Sequence, residues 1–397
     1  MEHLSARIKS LAPSATIAMN QKGREMKEKG VDVINLSVGE PDFPTPGHIC
    51  QAAKEAVDGP WHGYAPVAGY PDLLQAIAGK FKRENGLDYK PSQIMVSVGA
   101  KHALANVMMC LVDKGEEVIV PAPYWVSYAE QVKIAEGVNV ILDTSVEAEF
   151  KITPKQLEAA ITPKTRALLL CSPSNPTGSV YTREELAGLA KVIAKHPGVY
   201  VIADEIYEHI NFVGGHESIG QFAEIKDRVV IINGVSKGYA MTGWRIGYMA
   251  GPEWLVKACG KLQGQVTSGA TSIAMRASLA ALNGDQSCVG EMRDAFLRRR
   301  DLILGHVLSI DGVKCNTPGG AFYVFPDFSA YLGKSAGDRK IETDMDLCIY
   351  LLEVGHIATV PGSAFGAPGC VRISYANSDE NLEKAMQRLK KALAALS

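Results

Sequence analysis

The amino-acid sequence predicts an α/β protein with two domains, a large one built on a mostly parallel β-sheet and a smaller α+β one. Short apolar runs alternate with helical patterns between residues 94 and 250. Nearly continuous apolar strands are typical of parallel sheets, which helices cover on both faces. From residue 291 onward a charged helical stretch is followed by short strands instead, and a chain of 397 residues has room for two domains.

Five apolar runs predict the strands of the large domain, and each is followed by a polar loop. They are residues 94–98, 118–120, 167–171, 200–203 and 229–232. A helix is expected from Gly99 to about residue 112. Two later helices begin with capping-box sequences, Thr153 to Gln156 and Thr182 to Glu185, whose side chains satisfy free backbone N–H groups.

The smaller domain is expected to cover residues 291–397. Its predicted elements are a helix at 291–309, strands at 312–316 and 321–325, a helix at 344–354, strands at 357–360 and 371–375, and a final helix from Asp379. We expect residues 1–47 to pack with this domain. Residues 48–290 then form the large domain, which is expected to hold the ligand.

Composition and charge exclude several classes of protein. Apolar residues make up 47% and charged residues 21%, with a net charge of −2, which is typical of a globular protein that binds neither nucleic acid nor a membrane surface. No secretory signal pattern is present, and no apolar run reaches the roughly 18 residues of a membrane span. The eight cysteines include no C-x-x-C pair. We therefore expect free thiols and a cytoplasmic location, with an organelle as the alternative if a presequence has been removed.

Chemically active residues gather where the predicted strands end, and in open α/β sheets ligands bind beyond the carboxyl ends of the strands. These residues are Gly99, Ala100, Lys101, Trp125, Asn175, Asp204, Tyr207, Lys237 and Arg245. Free N–H groups at the start of a helix after Gly99 are suited to a phosphate. Lys101 in the first turn opposes the helix dipole unless an anion is close, and Arg245 is able to grip the same phosphate with two hydrogen bonds.

Each of these residues also has an ordinary structural interpretation. Asp204 either caps a helix or keeps a pyridine nitrogen protonated, which makes the ring an electron sink. Tyr207, a turn of helix further on, is either a core tyrosine or a contact to that ring. Trp125 is a buried aromatic or stacks on the ring, and Asn175 builds a turn or binds the ligand. Lys237 is then the amine that forms a Schiff base with an aldehyde cofactor and moves a proton.

Seven motifs together resemble one family over essentially the whole chain: LSVGEPDFPTP, YAPVAGYPDLL, PAPYWVSY, SPSNPTGSVY, DEIYEHI, SKGYAMTGWRIGY and VRISYA. The sequence is similar to class I, fold-type I, pyridoxal-phosphate aminotransferases. The resemblance implies that Lys237 binds pyridoxal 5′-phosphate covalently and shuttles the substrate Cα proton. It also implies that Asp204 pairs with the pyridinium nitrogen and that Tyr207 and Asn175 hydrogen-bond the ring oxygen. Trp125 would stack on the ring, and both Trp125 and Asn175 would touch the substrate as well.

The same resemblance implies a phosphate site that two subunits share. Ser236, Arg245 and the turn at 99–101, with Ala100 at its centre, would bind the phosphate. Tyr64 would reach that phosphate from the neighbouring subunit of a homodimer. The resemblance implies no metal site.

The substrate contacts that the resemblance implies are those of an aspartate aminotransferase. Arg372 would clamp the α-carboxylate beside the backbone of Gly39, although Arg372 alone is also consistent with a strand-edge ion pair of little energetic value. Lys101 and Thr16 would meet the side-chain carboxylate. Thr16 is equally a candidate for the cap of the helix that follows it.

The expected reaction transfers the amino group of L-aspartate to 2-oxoglutarate by a ping-pong mechanism, giving oxaloacetate and L-glutamate. Transamination of prephenate to arogenate is the alternative, as a main or an additional activity. Against it, this chain has Ala12 where several relatives have a lysine. For it, residues 261–274 resemble those of prephenate-competent relatives.

The sequence argues against some other activities and leaves others open. Another amino-acid aminotransferase, a carbon–sulfur lyase or a cyclopropane-forming synthase of the same fold would share the lysine and the aspartate. A nicotinamide dehydrogenase fits the sheet pattern, but no G-x-G-x-x-G follows a strand. A regulator with an aminotransferase-like domain would need a basic DNA-binding module that this composition does not contain.

Overall fold

The computed structural model describes residues 3–397. The helices are α1 (Ala6–Lys9), α2 (Ala15–Glu28), α3 (Gly47–Asp58), α4 (Pro71–Asn85), α5 (Ala100–Leu111), α6 (Ser127–Ile134), α7 (Pro154–Ala160), α8 (Arg183–Ala194), α9 (Glu253–Val266), α10 (Ser272–Asn283), α11 (Ser287–Leu308), α12 (Asp344–Glu353) and α13 (Asp379–Ala394). The strands are β1 (Ile34–Asn35), β2 (Ile94–Val98), β3 (Glu117–Ala122), β4 (Val138–Asp143), β5 (Thr165–Cys171), β6 (Tyr200–Asp204), β7 (Val229–Gly234), β8 (Ile246–Ala250), β9 (Tyr323–Val324), β10 (Ser335–Ala336), β11 (Arg339–Lys340), β12 (Ile357–Ala358), β13 (Val360–Pro361) and β14 (Val371–Ser374).

A seven-stranded sheet in the order β2-β8-β7-β6-β5-β3-β4 forms the centre of the molecule. Strands β7, β6, β5, β3 and β4 run parallel, and β8 alone is antiparallel to both of its neighbours. The prediction of a mostly parallel sheet is confirmed. Both predicted capping boxes also form, at the starts of α7 and α8.

The sequence patterns missed two strands of this sheet. Strand β4 is an edge strand with several exposed residues, and its apolar run, residues 140–142, is confined between Asn139 and Asp143. Strand β8 is fully buried, but Gly247 interrupts its apolar run. A Cβ on Gly247 would collide with the backbone of Ala100. Glycine at this position lets β8 pass directly beside the start of α5.

Apolar side chains cover both faces of the sheet because neighbouring residues of a strand point to opposite faces. On β5, Leu168 and Leu170 belong to one buried cluster with α4, α8 and α10. Ala167 and Leu169 belong to another, with α5 and α9. This double burial explains why the strands read as uninterrupted apolar runs.

A separate core joins the N-terminal segment to the C-terminal part of the chain. Met19 and Leu36 pack in it with Phe296, Leu351 and Ile373, and β1 pairs in parallel with β12. Limits of the domains at 47/48 and 290/291 stay a prediction.

The predicted strands before β14 are shorter in the structure than expected. Residues 312–316 form only an isolated bridge, Lys314 with Asp327, so the strand predicted there is wrong. Residues 321–325 contain the two-residue strand β9, which pairs with β14. In the described part of the chain, no helix combines the length and apolarity that a bilayer crossing requires.

Candidate active site

A cavity of about 330 Å³ lies where the ends of the parallel strands meet β9, β14 and the N-terminal segment. Its volume is in the range of small-ligand sites. The predicted site residues that line it are Thr16, Gly39, Ala100, Lys101, Trp125, Asn175, Asp204, Tyr207, Ser236, Lys237, Arg245 and Arg372. Two others lie outside the lining: Gly99 is buried beneath Arg245, and Tyr64 is 99% exposed.

Lys237 follows β7 and points its amine into the cavity. Its Nζ donates to the backbone oxygen of Gly39 at 2.6 Å. Burial lowers the pKa of Lys237 to about 8, with Glu40 opposing the shift and Arg372 and Arg245 adding to it. Most of this amine is still protonated at pH 7, but its uncharged form, which acts as a nucleophile, is far more populated than in an ordinary lysine.

Asp204 is the last residue of β6 and is buried at the floor of the cavity. Its Oδ2 accepts a hydrogen bond of 2.6 Å from the hydroxyl of Tyr128, and its Oδ1 accepts from the N–H of Ile206. Burial raises the pKa of Asp204 to about 6, and these two donors limit the rise. A partner with a positive charge would therefore stabilise the ionised carboxylate against the cost of its burial.

The segment after Asp204 is a series of turns rather than a helix. Glu208 N donates to the oxygen of Glu205, and Ile210 N donates to that of Tyr207, but no α-helix follows β6. The interpretation of Asp204 as a helix cap is therefore wrong. The helical turn expected to place Tyr207 is also absent. Local turns with i to i+3 hydrogen bonds bring Tyr207 to the cavity instead.

Tyr128 was missed by the sequence analysis, although it ends the motif PAPYWVSY. It lies in the first turn of α6, and its ring packs edge-on against Trp125 at 5.4 Å. The amine of Lys101 lies over the Trp125 ring, 4.8 Å from its centre. Trp125 lies just before α6, and the N–H of Tyr128 donates to the backbone oxygen of Trp125 at 2.9 Å, so a local turn brings the two rings together.

One end of the cavity is built for a phosphate. Gly99 has a φ of 79° just before α5, and a Cβ there would collide with the guanidinium of Arg245. The first N–H groups of α5 and the side chains of Lys101 and Arg245 therefore meet at one point. Partial burial and the charge of Arg245 lower the pKa of Lys101, so an anion between the two cations would relieve their repulsion.

The opposite side of the cavity holds a buried arginine. Arg372 is 1% exposed; its Nη1 donates to Asn175 Oδ1 at 3.0 Å and its Nη2 to the oxygen of Ser37 at 2.6 Å, whereas its Nε has no partner. It lies on β14, the central strand of three, and makes no ion pair with a described residue. The strand-edge ion pair is therefore wrong. A buried cation without a carboxylate is costly unless a ligand supplies one.

Two tyrosines lie between Arg372 and the floor. The hydroxyls of Tyr207 and Tyr323 are 2.8 Å apart, and the ring of Tyr323 faces Arg372 with the guanidinium carbon 4.5 Å from its centre. Tyr323 was also missed, because its motif GGAFYVF reads as an ordinary apolar strand.

Thr16 reaches the cavity from the first turn of α2. The cap position of this helix is Ser14, so the cap interpretation of Thr16 is wrong. Its Oγ1 is buried and has no hydrogen-bond partner among residues 3–397. It is thus available to a ligand.

The charges of the cavity fit the cofactor that the sequence analysis implied. Lys101, Lys237, Arg245 and Arg372 line it, and none of the four pairs with a carboxylate within the described chain. Among residues 3–397, Asp204 supplies the only carboxylate that lines the cavity. A buried acid at the floor, a cavity-lining amine without a carboxylate partner and a glycine-flanked helix start match a pyridinium ring, an aldehyde and a phosphate. The remaining cations match carboxylates of a substrate.

Known proteins resemble this chain along its full length. A sequence model of the family Aminotransferase class I and II matches residues 31–389. An aspartate aminotransferase of Geobacillus stearothermophilus is 48% identical over 99% of both chains. An aspartate/prephenate aminotransferase of Cereibacter sphaeroides is 48% identical over 100% of both. The crystal structure of an aspartate aminotransferase from Rhizobium meliloti covers 100% of both chains with a TM-score of 0.96 and 44% identity.

Proposed function

The chain belongs to the class I and II aminotransferases, which use pyridoxal phosphate, and from that premise we propose that it transfers the amino group of L-aspartate to 2-oxoglutarate. The supporting observation is the set of unpaired cations at both sides of the cavity. A substrate with two carboxylates satisfies the buried Arg372 and a second cation, whereas a monocarboxylic amino acid satisfies only one.

We assign the following roles around the cofactor, which supplies an electron-withdrawing ring that stabilises negative charge at the substrate Cα. Lys237 binds it and then moves the Cα proton as general base and acid. Asp204 holds the ring nitrogen protonated. Tyr207 and the amide Nδ2 of Asn175 donate to the ring oxygen, since Asn175 Oδ1 is already used by Arg372. Trp125 covers one ring face.

The phosphate and substrate roles follow the two ends of the cavity. Ser236, Arg245 and the start of α5 bind the phosphate. Arg372 binds the α-carboxylate. The side-chain carboxylate is met by Lys101, whose amine lies over Trp125 and faces the cavity, and by the unpartnered hydroxyl of Thr16.

A half-reaction panel tests this proposal. The pyridoxal form of the protein is mixed separately with aspartate, glutamate, arogenate, alanine and phenylalanine, and conversion to the pyridoxamine form is followed by absorbance. We expect aspartate and glutamate to convert the protein fastest, because each partner of a ping-pong pair must do so. Faster conversion by alanine or phenylalanine would contradict the dicarboxylate assignment.

Prephenate transamination is the second candidate, and it rests on the aspartate/prephenate aminotransferase among the relatives and on residues 261–274. The N–H of Ala12 donates to Glu130 Oε2 at 3.0 Å, so position 12 lies beside an acid near the cavity entrance. We expect Ala12→Lys to raise the rate with arogenate relative to aspartate. An unchanged ratio would show that position 12 does not select between them.

A homodimer that shares its active sites is also part of the proposal. Tyr64 is an aromatic residue with 99% of its surface exposed, and its loop is braced by Trp61, which stacks with Arg276 at 4.2 Å. An exposed aromatic on a braced loop is suited to a partner subunit. Light scattering is expected to give twice the chain mass, and a monomer at working concentration would contradict it.

We also propose a reducing compartment, the cytoplasm, since all eight cysteines are free.

A further inference from the structure

Tyr323 is a buried tyrosine at the meeting point of three parts of the chain. It lies on β9 and is 0% exposed. Its hydroxyl is 2.8 Å from that of Tyr207 in the turns after β6. A Cβ on Gly39 would lie 2.7 Å from the same hydroxyl, so the N-terminal segment packs directly on it. The face of the ring lies against Arg372.

The hydrogen-bonding capacity of the two phenols restricts how they pair. A phenol hydroxyl has one proton to donate. If Tyr207 donates to a ligand in the cavity, its oxygen must accept from Tyr323, because no other donor to either hydroxyl exists among residues 3–397. Tyr323 in turn has no second acceptor there. The pair therefore has one favourable direction when a ligand accepts from Tyr207.

We propose that Tyr323 is a positioning residue with two separable roles: its hydroxyl donates to Tyr207 and aims the Tyr207 proton at the cofactor's ring oxygen, while its ring supports Arg372 for the substrate carboxylate. This inference rests on the proposed placement of Tyr207 at the ring oxygen. A donor to the Tyr207 oxygen polarises its O–H and strengthens the bond that Tyr207 makes. The guanidinium over the ring face is stabilised by cation–π attraction.

The first role predicts a pH effect. A hydrogen bond donated by Tyr207 stabilises the negatively charged form of the ring oxygen. This form accompanies the unprotonated state of the nitrogen that would link Lys237 to the cofactor. Removal of the Tyr323 hydroxyl weakens that donation, so the nitrogen holds its proton to higher pH. We expect Tyr323→Phe to raise the midpoint of the pH-dependent visible absorption by about half a unit to one unit, the size expected for one buried hydrogen bond.

The experiment compares cofactor-loaded variants by two readouts other than turnover, the absorption midpoint and the Kd of maleate. Tyr323→Phe keeps the ring, so the midpoint should shift with little change in maleate affinity. Tyr323→Leu removes both roles and should also weaken maleate by about tenfold. Tyr375→Phe is the matched control, because this buried phenol donates to the oxygen of Ala321 away from the cavity, and it should shift neither.

Tyr207→Phe separates this inference from the assignment on which it rests. A raised midpoint in both Tyr207→Phe and Tyr323→Phe supports the inference. A raised midpoint in Tyr207→Phe alone overturns the positioning role of Tyr323 and keeps the placement of Tyr207. An unchanged midpoint in Tyr207→Phe removes that placement and the inference together.

Discussion

The floor and the entrance of the cavity are built in different ways. At the floor, Asp204 and Tyr128 are buried and hydrogen-bonded to each other. Asp204 lies on a strand of the large sheet, and Tyr128 lies in the first turn of α6. At the entrance, Thr16 and Ile17 come from the first turn of α2; Ile17 is 65% exposed and the Thr16 hydroxyl has no partner in the described residues.

This difference indicates where chemistry and selectivity reside. Groups that act on the reacting atoms gain from being held rigidly before the ligand arrives. Groups that select among substrates are completed by the ligand itself, and their unmet hydrogen bonds penalise a ligand that lacks the matching carboxylate. Substitutions at the floor should therefore change kcat for every substrate, and substitutions at the entrance should change the ratio between substrates.

The largest effect is expected for Lys237→Ala. Without the amine, no covalent attachment forms and no group takes the Cα proton, so kcat should fall by at least about a thousandfold. Turnover and the absorption of the loaded protein measure both losses. Normal turnover in this variant would contradict the assignment of Lys237 as the amine that moves the Cα proton.

Asp204→Ala should come next. Loss of the carboxylate leaves the ring nitrogen without its charge partner, and electrostatic contributions of this kind are worth about 2.7–4 kcal/mol. We expect kcat to fall for aspartate and alanine alike, with the Kd of maleate little changed. A loss confined to aspartate would place Asp204 in substrate selection instead.

Tyr128→Phe tests the floor through pH. Burial raises the pKa of Asp204 to about 6, and the Tyr128 bond opposes the rise by favouring the carboxylate. Without that bond the pKa rises further, so the acid limb of the pH–rate profile should move to higher pH by about one unit. Tyr181→Phe, which removes a buried phenol that accepts from Ile152 N, is the control and should leave the limb in place.

Lys101→Met tests the proposed contact to the side-chain carboxylate, which Lys101 shares with Thr16 of the entrance, and it keeps the length of the side chain. A hydrogen bond to a charged group is worth about 1.5–3 kcal/mol, so kcat/KM for aspartate should fall about 10-fold to 100-fold. The rate with alanine, which has no side-chain carboxylate, should change much less. Equal losses for both substrates would mean that Lys101 serves only the phosphate.

The smallest effect is expected for Thr16→Val, which replaces the hydroxyl by a methyl group of similar size. Loss of one hydrogen bond of about 1 kcal/mol should raise KM for aspartate about fivefold, with kcat retained. Thr16→Ser should restore the wild-type KM. An equal rise in both variants would point to packing rather than to the hydroxyl.

Features with a local sequence signal were predictable, and features that depend on distant residues were not. Strands β2, β3, β5, β6 and β7 were predicted because their burial on both faces leaves a continuous apolar run. Strand β4 was missed because one edge of the sheet is exposed, and the strand at 312–316 was wrong because its residues form a single bridge instead of a ladder. Tyr128 and Tyr323 were missed because a buried phenol is indistinguishable by type from a core aromatic.

The sequence by itself determined five of the seven strands of the sheet, two helix caps and the family, because apolar runs, capping boxes and contiguous motifs are local. It also predicted which residues carry the cofactor chemistry. Only the tertiary structure decided the partners of those residues: Asp204 with Tyr128, Arg372 with Asn175, and Tyr207 with Tyr323. These pairs lie 76, 197 and 116 positions apart. Their distances and the burial that shifts the pKa values of Lys237 and Asp204 depend on how separate strands and helices pack, which no local pattern encodes.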